Sequence, residues 1–198
     1  MPTVAILPVK RFDRAKQRLR RSLTAAAVHE LAETMVGDVL KALAATPSID
    51  EVVVVTGEPA ALRLAGTHGA IVLDDDARGH NAAALRGIAH ALQRSVDRVL
   101  LVPGDCPLLD PDELEELLER VPRPPSALIV PDRHGTGTNA LVLTPPDALE
   151  PSFGPGSCQR HAENASAAGI AHQVVEVTSL ALDIDTPEDL AALARTRG

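Results

Sequence analysis

Short apolar runs alternate with amphipathic stretches along this chain, and that alternation predicts an α/β domain. Thr3–Leu7 reads as the first strand. Between about Ala25 and Ala45, Leu31, Met35, Val39 and Leu43 recur every four positions, the spacing of a helix with one core stripe. Glu51–Val55 is a short β-branched run of the kind that parallel sheets bury on both faces. A helix is predicted from Pro59, a third strand over Ala70–Leu73, and a helix from about Ala82 to Gln93 with Asn81 as its N-cap. Val99–Val102 is the fourth strand. Asp110-Pro111 then opens a helix whose apolar stripe is Leu114, Leu117, Leu118 and Val121. Two further strands, Ala127–Val130 and Ala140–Leu143, are separated by DRHGTGTN, too short for a crossover helix, so a hairpin or broad loop joins them. Ser157 is expected to initiate a helix to about Ala168, ahead of a strand over His172–Val177 and a terminal helix over Thr186–Thr196.

At 198 residues, with 45% hydrophobic and 23% charged positions, the chain suits one domain over 1–198 with one core. The opening MPTVAILPVK lacks the flank and cleavage pattern of a signal peptide, and no apolar run approaches the roughly 20 residues needed to span a bilayer. A cytoplasmic protein without a membrane partner is the expectation. Cys106 and Cys158 form no CxxC pair, which agrees with reduced thiols.

Acidic residues number 27 against 19 basic ones, a net charge of −8, and Trp and Tyr are absent. Both features argue against a nucleic-acid binder, which needs a basic face and stacking surfaces. The charge is uneven, however. Lys10, Arg11, Arg14, Lys16, Arg18, Arg20 and Arg21 crowd one short stretch, either a solvated face or a site for a small polyanion.

Candidate chemistry begins at VLLVPGDCPLL, where a strand runs into Pro103-Gly104-Asp105 and leaves a carboxylate beyond its carboxyl end. That edge of an open α/β sheet is the usual place for a ligand crevice. Asp105 reads as a magnesium ligand or as the former of an Asx turn. In Leu182–Leu190, Asp183 and Asp185 would share one side of an extended segment and call for a compensating cation. Thr186, Pro187, Glu188 and Asp189 spell an ordinary helix start. Asp132–Asn139 is a glycine-rich turn or an anion nest in which Thr138 can donate to phosphate or carboxylate oxygens. Phe153–Ser157 repeats that logic ahead of a helix. No P-loop, dinucleotide fingerprint, zinc spacing or nucleophile elbow is present. His134 and His161 could serve as active-site bases but read rather as satisfied surface or anion-contacting histidines, and Cys106 reads as inert packing rather than a nucleophile.

The segments LPVKRFDRAKQRL, PGDCPLL, DRHGTGTNAL, FGPGSCQRH and DIDTPEDL, taken together and in order, resemble the guanylyltransferases of deazaflavin-coenzyme biosynthesis. The resemblance spans Leu7 to Leu190. It implies a single-domain nucleotidyltransferase fold like that of nucleotide-diphospho-sugar transferases, a mostly parallel mixed sheet flanked by helices. It also implies magnesium as cofactor, with GTP and a small phosphorylated three-carbon acid as partners. Carried over by motif, Asp105, Asp183 and Asp185 are the metal ligands, and Lys16 and Asp105 the catalytic pair. Lys10, Lys16, Gly79 and Asn81 are assigned to the nucleotide. Thr138, Gly154 and Ser157 are assigned to the acceptor, with Thr136 the alternative register for Thr138. His80 departs from the apolar residue more usual before that asparagine. Phosphoenolpyruvate is the expected acceptor, ahead of 2-phospho-L-lactate and 3-phosphoglycerate. Transfer to a sugar phosphate or molybdopterin, and a nucleotide sensor without turnover, are the other readings. No partner subunit is required, and homo-oligomerisation is left open.

Overall fold

The computed structural model describes residues 1–13, 16–76 and 78–197. Arg14 of the basic stretch and Ala77, just ahead of Gly79 and Asn81, lie outside the described residues. Among the described residues, seven strands form one sheet: β1 (Thr3–Val9), β2 (Glu51–Thr56), β3 (Ile71–Asp74), β4 (Arg98–Leu101), β5 (Ser126–Pro131), β6 (Thr138–Thr144) and β7 (Ala171–Val174). Their spatial order is β3-β2-β1-β4-β6-β5-β7. Only β6 runs against its neighbours, and β5 and β6 form the antiparallel pair expected from their short connection. Helices α1 (Ala25–Ala45), α2 (Pro59–Thr67), α3 (His80–Gln93), α4 (Pro111–Glu119), α5 (Ser157–Ala167) and α6 (Pro187–Arg197) cover the sheet.

The inner strands β1, β2, β4, β5 and β6 are buried on both faces, so alternate residues enter two cores. Ala5, Leu7, Val54 and Leu100 pack with Val39 and Leu43 of α1, Ala61 of α2 and Leu114 of α4. Val4, Ile6, Val53 and Val99 face Ala84 and Ile88 of α3 and Ala165 of α5. A smaller cluster joins Met35 of α1 to Ile184 and Leu193, seating α6 and the segment before it. Helix α3 lies very close to β1, because a Cβ on Gly87 would stand 2.4 Å from Ile6 Cγ2.

Several boundaries differ from expectation, each for a local reason. β1 continues through Pro8 to Val9 although proline disfavours central strands. β4 pairs with β1 only as far as Ile6↔Leu101, so Pro8 breaks no rung on that side. Asn81 does not cap α3. Gly79 does, with φ +105, and the helix opens at His80. Ser157 likewise is not a cap but the first residue of α5, behind Gly156 at φ +71. In both places the chain turns into its helix through a backbone conformation that glycine adopts without strain. β7 covers Ala171–Val174 rather than His172–Val177, and as a largely exposed edge strand it has little burial to extend it.

Candidate functional site

β2 and β3 lie on one side of β1, while β4 lies on the other. The chain therefore reverses its winding between β1 and β4, and their carboxyl ends flank a crevice. A cleft of about 850 Å³ opens there, lined by the loops after β1 and β4, the β5–β6 turn, the segment before α5 and the segment before α6. Lys10, Lys16, Asn81, Asp105, Thr138, Gly154, Ser157, Asp183 and Asp185 all line it; Gly79 adjoins it as the cap of α3. Residues from both ends of the chain thus share one cavity.

The loop after β1 is held by Glu58. This buried carboxylate accepts from Phe12 N (2.8 Å) and from Ala60 N (3.2 Å), so one side chain pins the loop and caps α2. Arg20 donates to the Phe12 and Asp13 carbonyls and closes the far end of the turn. Two cations of the basic stretch thus have local partners: Arg20 organises its own loop, and Arg11 pairs with Asp13 at the surface. Lys16 sits within this loop in the left-handed backbone region at φ +52, uncommon for a residue with a side chain. Its ammonium is buried between Asp105 and Asp185, bonded to Asp105 Oδ2 and 2.7 Å from Asp185 Oδ1. Burial opposes the charge on Lys16, but these two carboxylates outweigh it and raise the pKa above the ordinary lysine value.

The two acidic motifs meet through the backbone. Ile184 N donates to the Asp105 carbonyl at 3.1 Å, and the buried Ile184 side chain leaves Asp183 and Asp185 facing the cleft on either side. The alternation read from the sequence therefore holds in an extended segment that is not a strand. Asp183 is raised above the usual carboxylate range by burial and by the neighbouring Asp105 charge, against a bond from Asn139 Nδ2 at 3.3 Å. Among the described residues, no three acidic, histidine or cysteine side chains converge as a ready-made metal cage. Lys16 stands between two of the three carboxylates instead. Beyond them, Asp189 accepts from the backbone N–H groups of Asp185 (2.9 Å) and Thr186 (2.7 Å) and pairs with Arg133, locking the turn into α6. Thr186 Oγ1 accepts in return from Asp189 N, so the helix start read from these letters is a reciprocal cap.

The opposite wall is built from β6 and the segment before α5. Asp132 accepts from His134 N and Thr136 N, closing the turn and tying up the backbone of Thr136. Thr138 is buried at the start of β6, and its Oγ1 lies 3.0 Å from His161 Nδ1. The segment 152–157 is braced throughout. Ser152 N donates to His161 Nε2 (2.9 Å), and Arg160 donates to the carbonyls of Ser152 and Pro155 (2.7 Å each). Asn81 holds both backbone polar groups of Phe153. Gly154 adopts φ +123, a left-handed conformation that a side chain would strain. Ser157 Oγ is buried and has no hydrogen-bond partner among the described residues, yet it belongs to the cleft wall.

His161 corrects one expectation. It is fully buried rather than a surface or anion-contacting side chain, and burial followed by the Arg160 charge lowers its pKa to about 4. Cys106 is sealed in the core, where burial pushes its thiol up, as inert packing requires. Glu58 and His161 escape a reading by motif because their work is done on backbone and side-chain groups far away in sequence. No helix of the described residues is long and apolar enough to cross a membrane.

The family described as guanylyl transferase CofC like matches residues 3–195. A phosphoenolpyruvate guanylyltransferase of Conexibacter woesei is 52% identical over 196 residues, covering 98% of this chain and 87% of the relative. A 2-phospho-L-lactate guanylyltransferase of Methanothermobacter thermautotrophicus is 32% identical over 193 residues, covering 98% and 84%. Among solved structures, a nucleotidyl transferase of that same archaeon superposes with a TM-score of 0.70 at 19% identity, covering 98% of this chain and 97% of the other. That last likeness establishes the nucleotidyltransferase fold. The match along nearly the whole length makes the chain a member of the CofC-like guanylyl transferase family.

Proposed function

We propose that this protein transfers GMP from GTP to phosphoenolpyruvate, releasing pyrophosphate, as a step in making a deazaflavin coenzyme. One observation carries the reading: a single cleft sets Lys16 and three carboxylates on one wall and Thr138, Gly154 and Ser157 on the other. An activated nucleotide and a small dianionic acid fit such a division. The 52% identical relative supports phosphoenolpyruvate as the acid, and the 32% identical relative supports 2-phospho-L-lactate as the second reading.

In the proposed reaction, a phosphate oxygen of the acceptor attacks the α-phosphorus of GTP. A new P–O bond forms, the bond to the β-phosphate bridge breaks, and its electrons leave with pyrophosphate. The acceptor phosphate is already ionised near neutrality, so no side chain need remove a proton. His161, behind the wall, is engaged at both nitrogens and Cys106 is sealed in the core, while His80 and His134 line the cleft. Alignment and charge neutralisation then carry the rate. Lys10 and Lys16 supply positive charge from the loop after β1.

The donor set also fits magnesium. Asp105, Asp183 and Asp185 are hard oxygen ligands that line one cleft, and burial together with the neighbouring Asp105 charge raises the Asp183 pKa. These three side chains would hold the ion, which when bound would neutralise phosphate charge. Asn81 keeps a second amide N–H beyond the one given to Phe153, available to the nucleotide.

The test is a purified-protein reaction with GTP, magnesium and each acid in turn, following pyrophosphate and the guanylylated product. Robust turnover with phosphoenolpyruvate is expected. Product from 2-phospho-L-lactate alone would reverse the acceptor assignment, and GTP binding without product from any phosphorylated acid would overturn the reaction.

A further inference from the structure

His161 has no part in the transfer just described, yet it is fully buried behind the acceptor wall with both ring nitrogens engaged. Ser152 N lies 2.9 Å from Nε2. A backbone N–H can only donate, so Nε2 must be the bare, accepting nitrogen. The proton of the neutral ring then resides on Nδ1, which lies 3.0 Å from Thr138 Oγ1. That contact therefore runs from ring to hydroxyl: Nδ1–H donates and Oγ1 accepts. Phe153 sets its edge against the ring, with centroids 5.3 Å apart and planes at 77°, and restrains its rotation.

A threonine hydroxyl has one proton and two lone pairs. With the ring N–H directed at a lone pair, the Thr138 proton cannot turn toward His161 and is left for another acceptor. Thr138 lines the cleft. We infer that His161 is a positioning residue for acceptor recognition: it fixes the Thr138 hydroxyl as a donor aimed at an anionic oxygen of the phosphorylated acid. The same ring anchors Ser152, the start of the segment that carries Gly154 and Ser157, so one side chain sets both halves of the acceptor wall. Protonation would place a second N–H against the Ser152 N–H, and the burial that holds the ring neutral is consistent with its fixed tautomer. The inference rests on the reading above that Thr138 meets the acceptor.

Two substitutions separate the two ring nitrogens. His161→Asn places an amide near the Nδ1 position and keeps a donor for Thr138. His161→Gln reaches the Nε2 position and keeps an acceptor for Ser152. Acceptor and GTP titrations on these proteins and on Thr138→Val, with thermal unfolding alongside, decide the matter. His161→Gln is expected to raise the acceptor KM about tenfold or more with the GTP KM unchanged, and His161→Asn to restore most of that loss. In a Thr138→Val background His161→Gln should add little. A wild-type acceptor KM in His161→Gln overturns the role of His161 even if Thr138→Val is impaired. A wild-type acceptor KM in Thr138→Val instead overturns the underlying reading. Should a variant fail to fold, the ¹⁵N shifts of the His161 ring in the unmutated protein still test the tautomer: a proton on Nε2 rather than Nδ1 refutes the inference.

Discussion

Asn81 grips Phe153 by both of its backbone polar groups, accepting from Phe153 N at 2.8 Å and donating to the Phe153 carbonyl at 3.2 Å. This carboxamide, at the start of α3, is the strut between α3 and the segment before α5. Asn81→Ala strands both groups in partly buried surroundings, a loss of about 1–3 kcal/mol. The acceptor KM should rise together with a lower unfolding temperature. If only the GTP KM rises, and stability is untouched, Asn81 serves the nucleotide and not the strut.

The sequence displays its inner strands well because they are buried on both faces, and a β-branched run such as Glu51–Val55 has few other uses. The carboxylates are legible for a similar reason: each follows an apolar segment, Val99–Val102 or Leu182, and so must lie where that segment ends. The helix caps are harder. Asn81 and Ser157 look like caps by residue type, but the glycines before them take the turn, and a letter code does not show φ. Least legible are the braces. Glu58 to Phe12, Asn81 to Phe153 and His161 to Thr138 each join residues far apart in sequence, and the topology alone decides those meetings.

Lys16 leads to a prediction about charge. Its ammonium lies between Asp105 and Asp185, with Asp183 behind them. Lys16→Met removes a charge held by two carboxylates and should lower stability in metal-free buffer. Because the folded pKa is raised above the ordinary 10.5, the stabilisation is complete at and below neutrality and fades only as pH climbs past about 10.5. The stability difference between wild type and variant should therefore be flat from pH 6 to 9. A difference that grows or shrinks across that range contradicts the pairing.

Asp105→Asn and Asp185→Asn each remove a charged oxygen donor without disturbing the apolar cores. Turnover should fall by more than the roughly 10–100-fold typical of losing a partner outside the metal's own ligands. Far-ultraviolet circular dichroism should be unchanged. Near-normal rates for both variants at limiting magnesium would remove these residues from the metal site.

His161 also makes stability depend on acid. Its pKa falls from 6.5 to about 4 in the fold, so between those values the unfolded chain binds the extra proton. The contribution is complete above pH 6.5 and is lost as pH drops toward 4, a change on the order of a few kcal/mol. Denaturant titrations should show wild-type stability falling over that window more steeply than that of His161→Asn. Parallel curves would mean that the ring titrates normally in the folded protein.

Gly87 tests the packing of α3 on β1. A Cβ there would stand 2.4 Å from Ile6 Cγ2, and both positions lie inside the sheet–helix interface. Gly87→Ala should cost about 1–3 kcal/mol through overpacking, and adding Ile6→Ala should cost less than the sum of the two single losses. Strict additivity would show that the helix shifts to make room.

Ser157 gives the sharpest separation of folding from binding. Were it the cap of α5, Ser157→Ala would cost about 1 kcal/mol, which lowers Tm by roughly 2–4 °C in a chain of this size. The cap is Gly156, however, and the buried Ser157 hydroxyl has no partner among the described residues. An unpaired buried hydroxyl is a burden on the free protein, so its removal should leave Tm unchanged or slightly raised. The loss should appear only with the acceptor, whose oxygen would have met that hydroxyl in the cleft, as an increase in acceptor KM of about tenfold at constant GTP KM. Thermal unfolding and acceptor titration on the same sample distinguish the cases: a fall in Tm with unchanged acceptor kinetics would return Ser157 to a structural role.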